Sequence, residues 1–190
     1  IEQWRFHDKK SIILVAAGTR AAVRNLSEGI AKVCGEDSLI TPFTTRTRRD
    51  YAAGGNILVT TLFQVGGCLS RLGGKACRVL IDEATQVPML QAMLAIEKSC
   101  EHLVLIGDPN QLPPISLTGR HIDAKKEIEK RGCDMAWESI FELLLRTQKE
   151  RIRHVQLATQ FRMHPAIVDF PSERFYNGRI SSTYTEELAG

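Results

Sequence analysis

Two short segments constrain this chain more than anything else in it. Val79–Ile81 and Val104–Ile106 are the same apolar tripeptide, V-L-I, and each leads into an aspartate, in D-E-A-T-Q and in G-D-P-N-Q-L-P-P. Uninterrupted apolar runs of this kind are strands covered on both faces, because a half-exposed strand would alternate apolar with polar residues. Ser11–Ala17, Asn56–Thr61 and His102–Ile106 read in the same way. Ala21–Val33 places Val23, Leu26, Ile30 and Val33 at helical spacing and stops before Gly35, which predicts a helix with a glycine C-cap. Helices are also predicted over Val87–Glu97, with Pro88 in the first turn, over Trp137–Leu145 and over Pro165–Tyr176. A further strand is predicted over Val155–Ala158, and an exposed surface helix over Ile122–Arg131. Alternating strands and helices imply an α/β fold, a mostly parallel sheet with helices on both faces. Ligands of such sheets sit beyond the carboxyl ends of the strands, and the polar motifs here stand at those ends.

Composition excludes more than it selects. Of the 190 residues, 43% are hydrophobic and 25% charged, which is globular usage and not that of a disordered or collagen-like chain. No apolar run approaches the ~18–20 residues of a membrane span. The first ten residues, with Trp4, Arg5, His7 and Asp8, do not resemble a signal peptide, so an intracellular setting is expected. The five cysteines are odd in number and form no C-x-x-C pair, which predicts reduced thiols and no zinc site. A net charge of +3 is too small to argue for nucleic acid by itself. Local clusters, Arg46, Arg48 and Arg49, then Arg151 and Arg153, carry more weight, although a solvated surface explains each equally well. A basic polar stretch, Lys149–His154, marks a boundary between a first domain, 1–150, and the start of a second, 151–190.

Three segments carry chemistry. One acid after a strand is commonly a helix cap, but Asp82 and Glu83 are adjacent. Side chains alternate along extended backbone, so one carboxylate can hold a hydrated Mg²⁺ while the other faces a water molecule. That division of labour suits nucleoside triphosphate hydrolysis. In the second segment Gly107, Pro109, Pro113 and Pro114 terminate a strand, whereas Asp108 and Gln111 stand at the same expected sheet edge as the two acids. Gln111 can donate to a phosphate oxygen and accept from water. In the third, Q-F-R-M-H-P, Gln160–Pro165, the Arg162 guanidinium can bridge phosphate oxygens and the Phe161 ring can stack on a purine. Taken alone, His164 is more readily structural and Phe161 more readily core.

The order D-E-A-T-Q, G-D-P-N-Q-L-P-P, Q-F-R-M-H-P, with F-P-S-E-R-F-Y-N-G downstream, closely resembles superfamily-1 helicases, in the branch that includes the regulator of nonsense transcripts and senataxin. The resemblance implies two RecA-like domains, of the phosphate-loop NTPase type. It implies ATP and Mg²⁺ as cofactors and single-stranded RNA or DNA as partner, with protein regulators conceivable. By the same resemblance Asp82 would coordinate Mg²⁺ and Glu83 would act as general base. Gln86 and Gln111 would sense the γ-phosphate, with Asp108 supporting them. Arg162 would reach that phosphate and Phe161 would pack on adenine. Ile13–Val23 looks like motif Ia and Leu58–Thr61 like motif Ic, so that Thr19, Arg20, Thr60 and Thr61 would lie along the nucleic acid, through hydroxyls and backbone N–H groups.

The chain departs from the family pattern in two places. No G-x-x-x-x-G-K-[ST] occurs: Gly74 and Lys75 have Leu69 and Ala76 where the loop needs glycine and a hydroxyl residue. Gly18, Thr19 and Arg20 stand where the family usually has Pro-Ser/Thr-Asn. The expectation is therefore a fragment from the middle of a helicase core, with weak or no ATP binding in isolation. The alternative is a helicase-derived, non-catalytic platform for nucleic acid or protein. A dinucleotide-binding oxidoreductase would share the sheet but lacks G-x-G-x-x-G after its first strand.

Overall fold

The computed structural model describes residues 12–40, 56–72, 76–96, 100–114 and 138–183. The chain separates into two compact units, Ile1–Thr147 and Gln148–Gly190. The predicted helix over Ile122–Arg131 and the cluster Arg46, Arg48 and Arg49 lie outside the described residues.

The first unit is a parallel sheet of five strands. β1 (Ile12–Ala17), β2 (Leu39–Ile40), β3 (Ile57–Thr61), β4 (Ala76–Ile81) and β5 (His102–Leu105) lie in the order β2-β3-β1-β4-β5. Every pairing is parallel, with Ala17 opposite Thr61 and Ile81 opposite Leu105. All carboxyl ends therefore share one edge. β1 shows why its sequence has no polar positions. Ile12, Leu14 and Ala16 face one core, with Leu58, Val79 and Ile81; Ile13, Val15 and Ala17 face the other, with Ile57, Val59 and Leu80. The second of these cores is closed by α1 (Arg20–Cys34) through Val23, Ile30 and Cys34. The first is closed by α2 (Val65–Leu72), the single-turn α3 (Met89–Ala92) and α4 (Ile140–Gln148). This is the α/β architecture of RecA-like helicase domains, with helices on both faces of a parallel sheet.

Several elements differ from expectation. α1 does end at Gly35 as expected, with a positive φ of 84° that suits glycine. Its last buried contact is Cys34, while Val33 is 64% exposed. α2 is not foreshadowed by sequence, since Gly66 and Gly67 disguise the spacing of buried Val65, Cys68 and Leu69. The helix expected over Val87–Glu97 shrinks to α3, with Pro88 as its N-cap. Cys34, Cys68 and Cys100 are reduced thiols. Among the described residues no helix is long and apolar enough to cross a membrane.

The second unit contains β6 (Thr159–Gln160), α5 (Pro165–Tyr176) and β7 (Ser181–Ser182), with β6 and β7 paired in parallel. The strand expected at Val155–Ala158 is displaced to Thr159, and Val155 and Leu157 are exposed. α5 has the predicted bounds. His164 Nδ1 accepts from Ala166 N at 3.2 Å, Pro165 opens the helix, and Asn177 closes it in the left-handed region.

Candidate active site

Asp82 and Glu83 follow the last residue of β4, and Gly107 and Asp108 stand just past β5. The two strand ends continue as a short ladder beyond the sheet. Ile106 N donates to Ile81 O at 2.9 Å, and Ala84 N donates to Ile106 O at 2.7 Å. On the other side Asp82 N donates to Ala16 O at 2.9 Å. The motifs are packed together as well as bonded. A Cβ on Gly107 would lie 2.9 Å from Thr85 N and 3.0 Å from Thr85 Cγ2, so glycine is required for β5 to approach the D-E-A-T-Q turn this closely. The acidic couple and Asp108 thus leave the sheet at neighbouring strand ends.

Glu83 adopts φ 51°, ψ 40°, a left-handed conformation unusual for a residue with a Cβ. Ala84–Gln86 then form a turn of 3₁₀ helix, closed by Gln86 N to Glu83 O at 2.9 Å. Glu83 and Gln86 are exposed and Asp82 is half-buried. Among the described residues, no ion pair or side-chain hydrogen bond engages either carboxylate of the couple. Asp108 Oδ1 accepts from Asn110 N at 3.0 Å, and its Oδ2 accepts from Gln111 Nε2 at 3.1 Å. Asp108 therefore folds its own loop and holds the Gln111 amide. The next side of the site comes from a distant segment: Ser139, fully buried, donates to Ala84 O at 3.1 Å. Sequence reasoning missed Ser139, because nothing local marks a partner 55 residues away.

Thr60 and Thr61 end β3, but their hydroxyls are engaged inside the protein. β3 is covered on both faces, and Thr60 is fully buried, with its hydroxyl 3.8 Å from Cys68 Sγ. Thr61 is also buried and donates to Gln64 Oε1 at 2.9 Å. Their hydroxyls are turned into the protein, so side-chain contact with a strand of nucleic acid is withdrawn for both. Thr19 is exposed and caps α1, accepting from Ala22 N at 3.1 Å. Arg20 and Arg24 are exposed on the same helix, whose first turn holds no acidic residue.

In the second unit, Gln160 builds the turn that carries Phe161 and Arg162. Its Oε1 accepts from Arg162 N at 2.8 Å and from Met163 N at 2.7 Å, while its Nε2 donates to Met163 O at 2.7 Å. Ser182 on β7 also donates to Met163 O, at 2.5 Å. With the backbone groups engaged, both Phe161 and Arg162 project to solvent around an open concavity lined by Gln160–Met163. Phe161 is 62% exposed and is not a core residue of this unit.

The donor set suits Mg²⁺ in its usual protein setting, one or two carboxylates with water and phosphate completing the octahedron. Among the described residues, no group of three or more His, Cys, Asp or Glu forms a protein-only metal cage.

Two family models, each described as an AAA domain, match residues 43–118 and 136–188 in that order. The regulator of nonsense transcripts 1 homolog of Neurospora crassa is 32% identical over 143 residues, 75% of this chain and 12% of that protein. This chain belongs to the superfamily-1 helicases, in the branch of the regulator of nonsense transcripts and senataxin. The ATP-dependent helicase NAM7 of Saccharomyces cerevisiae is 28% identical over 178 residues, 92% of this chain and 17% of that protein. The probable helicase senataxin of Homo sapiens is 31% identical over 141 residues, 70% of this chain and 5% of that protein. The chain thus spans less than a fifth of the length of these relatives.

Proposed function

We propose that this chain is the middle of an ATP-dependent helicase core, coupling ATP hydrolysis to movement along single-stranded RNA or DNA. One observation carries the reading. The acidic couple after β4 and the Asp108–Gln111 pair after β5 leave the sheet at neighbouring strand ends, joined by Ala84 N to Ile106 O.

Asp82, half-buried at the strand end, is the residue to hold Mg²⁺, partly through water. When bound, Mg²⁺ offsets the charge that builds on the phosphate oxygens. Glu83 is turned out of the sheet by its left-handed backbone and is free of any ion pair among the described residues, as a base for water must be. Its carboxylate takes the proton as the water attacks. Gln111, with its amide N–H on Asp108, keeps its carbonyl oxygen for that water or its remaining N–H for a phosphate oxygen. Gln86, exposed one turn past Glu83, is a second sensor of that phosphate. In the other unit Arg162 and Phe161 serve as phosphate and adenine contacts, presented by the turn that Gln160 builds. Thr19, Arg20 and Arg24 are assigned to the phosphates of the single strand, which are bound without reading sequence.

Glu83→Gln in the full-length protein is expected to lower ATP turnover at least a hundredfold and to leave Mg²⁺-dependent ATP binding within about threefold. Normal turnover by that variant removes Glu83 from its role. A second reading, a non-catalytic binding platform, is supported by the exposed basic residues Arg151 and Arg153. It expects single-strand binding that ATP and Mg²⁺ leave unchanged, and no hydrolysis.

A further inference from the structure

Ala84, the residue after Glu83, is held by both of its backbone polar groups. Its N–H donates to Ile106 O at the end of β5. Its carbonyl accepts from Val87 N at 3.2 Å, and also from Ser139 Oγ at 3.1 Å. Glu83 sits between this anchored residue and β4 in a left-handed conformation that its side chain disfavours. Released, φ would return to negative values and the carboxylate would point elsewhere. A tether on the neighbouring residue opposes that return.

Ser139 has one O–H to donate, and it goes to Ala84. The same oxygen accepts from Phe141 N at 3.2 Å and Glu142 N at 3.4 Å, at the start of α4. The docking of α4 does not depend on that donation. Met89 N to Glu138 O at 2.9 Å and Ile140 N to Val87 O at 3.0 Å already zip the two segments together, in an antiparallel bridge between Pro88 and Ser139. Ile140, almost fully buried, anchors the helix in the core beneath the sheet. The hydroxyl therefore has a consequence separate from holding the helix.

We propose that Ser139 is a positioning residue for Glu83. Its buried hydroxyl, donated to the Ala84 carbonyl, fixes the left-handed turn that aims the Glu83 carboxylate, and ties that aim to the seating of α4. The assignment rests on Glu83 as the general base, so the test has one arm that needs no catalysis.

The variants are Ser139→Ala, which loses the donor, and Ser139→Thr, which keeps donor and cap. Both are made in the full-length protein. Amide hydrogen exchange is followed at Gln86 and Val87, whose N–H groups close the turn, and across β1 and β3 as an internal reference. ATP hydrolysis is measured with single-stranded RNA or DNA present. Ser139→Ala is expected to speed exchange at Gln86 and Val87 about tenfold, the size of one lost buried hydrogen bond, with β1 and β3 unchanged. It should lower kcat about tenfold with KM for ATP within twofold, and Ser139→Thr should restore both.

Unchanged exchange at Gln86 and Val87 overturns the tether. Faster exchange across β1 and β3 in step with the turn overturns it as well, since the residue would then serve stability alone. A loosened turn with unchanged kcat overturns the positioning role. If the unsubstituted protein hydrolyses no ATP, the general-base reading fails and takes the catalytic consequence with it. The exchange arm would then decide by itself whether Ser139 holds the turn.

Discussion

Glu83 gives the sharpest test of the geometry, because it should reverse a familiar order of stability. At an ordinary position alanine is more stabilising than glycine, which has more freedom to lose on folding. That difference is about 0.4–1 kcal/mol. At φ 51°, ψ 40° a Cβ collides with its own backbone, and the cost for an L-residue is about 1–2 kcal/mol. Glycine escapes this cost and alanine keeps it. Subtracting the entropic advantage of alanine, at the middle of each range, leaves glycine ahead by about 0.8 kcal/mol. Glu83 is exposed and its carboxylate enters no ion pair among the described residues, so neither replacement loses side-chain packing that would confuse the comparison. Urea unfolding of Glu83→Gly and Glu83→Ala, side by side, reads the difference directly. Alanine equal to or more stable than glycine would refute the left-handed backbone, and with it the argument that a tether at Ala84 is needed. In the proposed mechanism both variants lose turnover, so the more stable protein is also an inactive one.

Other consequences follow from the same contacts. Gly107→Ala would place a Cβ 2.9 Å from Thr85 N, a backbone atom that must shift by about half an ångström to reach ordinary contact, and overpacking of this kind costs about 1–3 kcal/mol; a denaturation midpoint unchanged from the parent would contradict the tight packing of the two motifs. Single-strand binding should weaken steeply with salt, and Arg20→Ala and Arg24→Ala should each lower the log–log slope by about 0.7 if each meets one phosphate; slopes unchanged in both variants would remove α1 from the interface. The 190-residue chain by itself, which contains no phosphate loop, should bind a fluorescent ATP analogue more weakly than about 10 μM in the presence of Mg²⁺, roughly −7 kcal/mol. Tighter binding would mean that the rim of β4 and β5 cradles the triphosphate without the loop.

Much of this fold is legible because its local signals agree with its tertiary fate. β1 and β3 are buried on both faces, and their sequences have no polar residue before the strand ends except the threonines. α5 is bracketed by Pro165 and Asn177, so local chemistry alone sets both limits. The motifs at the strand ends are equally readable, since a parallel sheet places every carboxyl end on one edge. Where local signal and environment part, sequence misleads. V-Q-L-A at Val155–Ala158 alternates like a strand, yet the strand pairing begins at Thr159, and Val155 and Leu157 stay in solvent. Thr60 and Thr61 resemble a polar patch at a strand end, yet the strand is interior and the hydroxyls turn inward.

The amino-acid order by itself determined the four central strands β1, β3, β4 and β5, the edge at which their polar motifs end, and to which family the chain is similar. Those properties depend on periodicity and on residue type over short distances. Only the tertiary structure decided which hydroxyls face solvent, that Gly107 lies against Thr85, and that Ser139 reaches Ala84 across 55 residues. Burial and hydrogen-bond partnership are relations between segments far apart in the chain, and a single segment carries no record of the neighbour that will cover it.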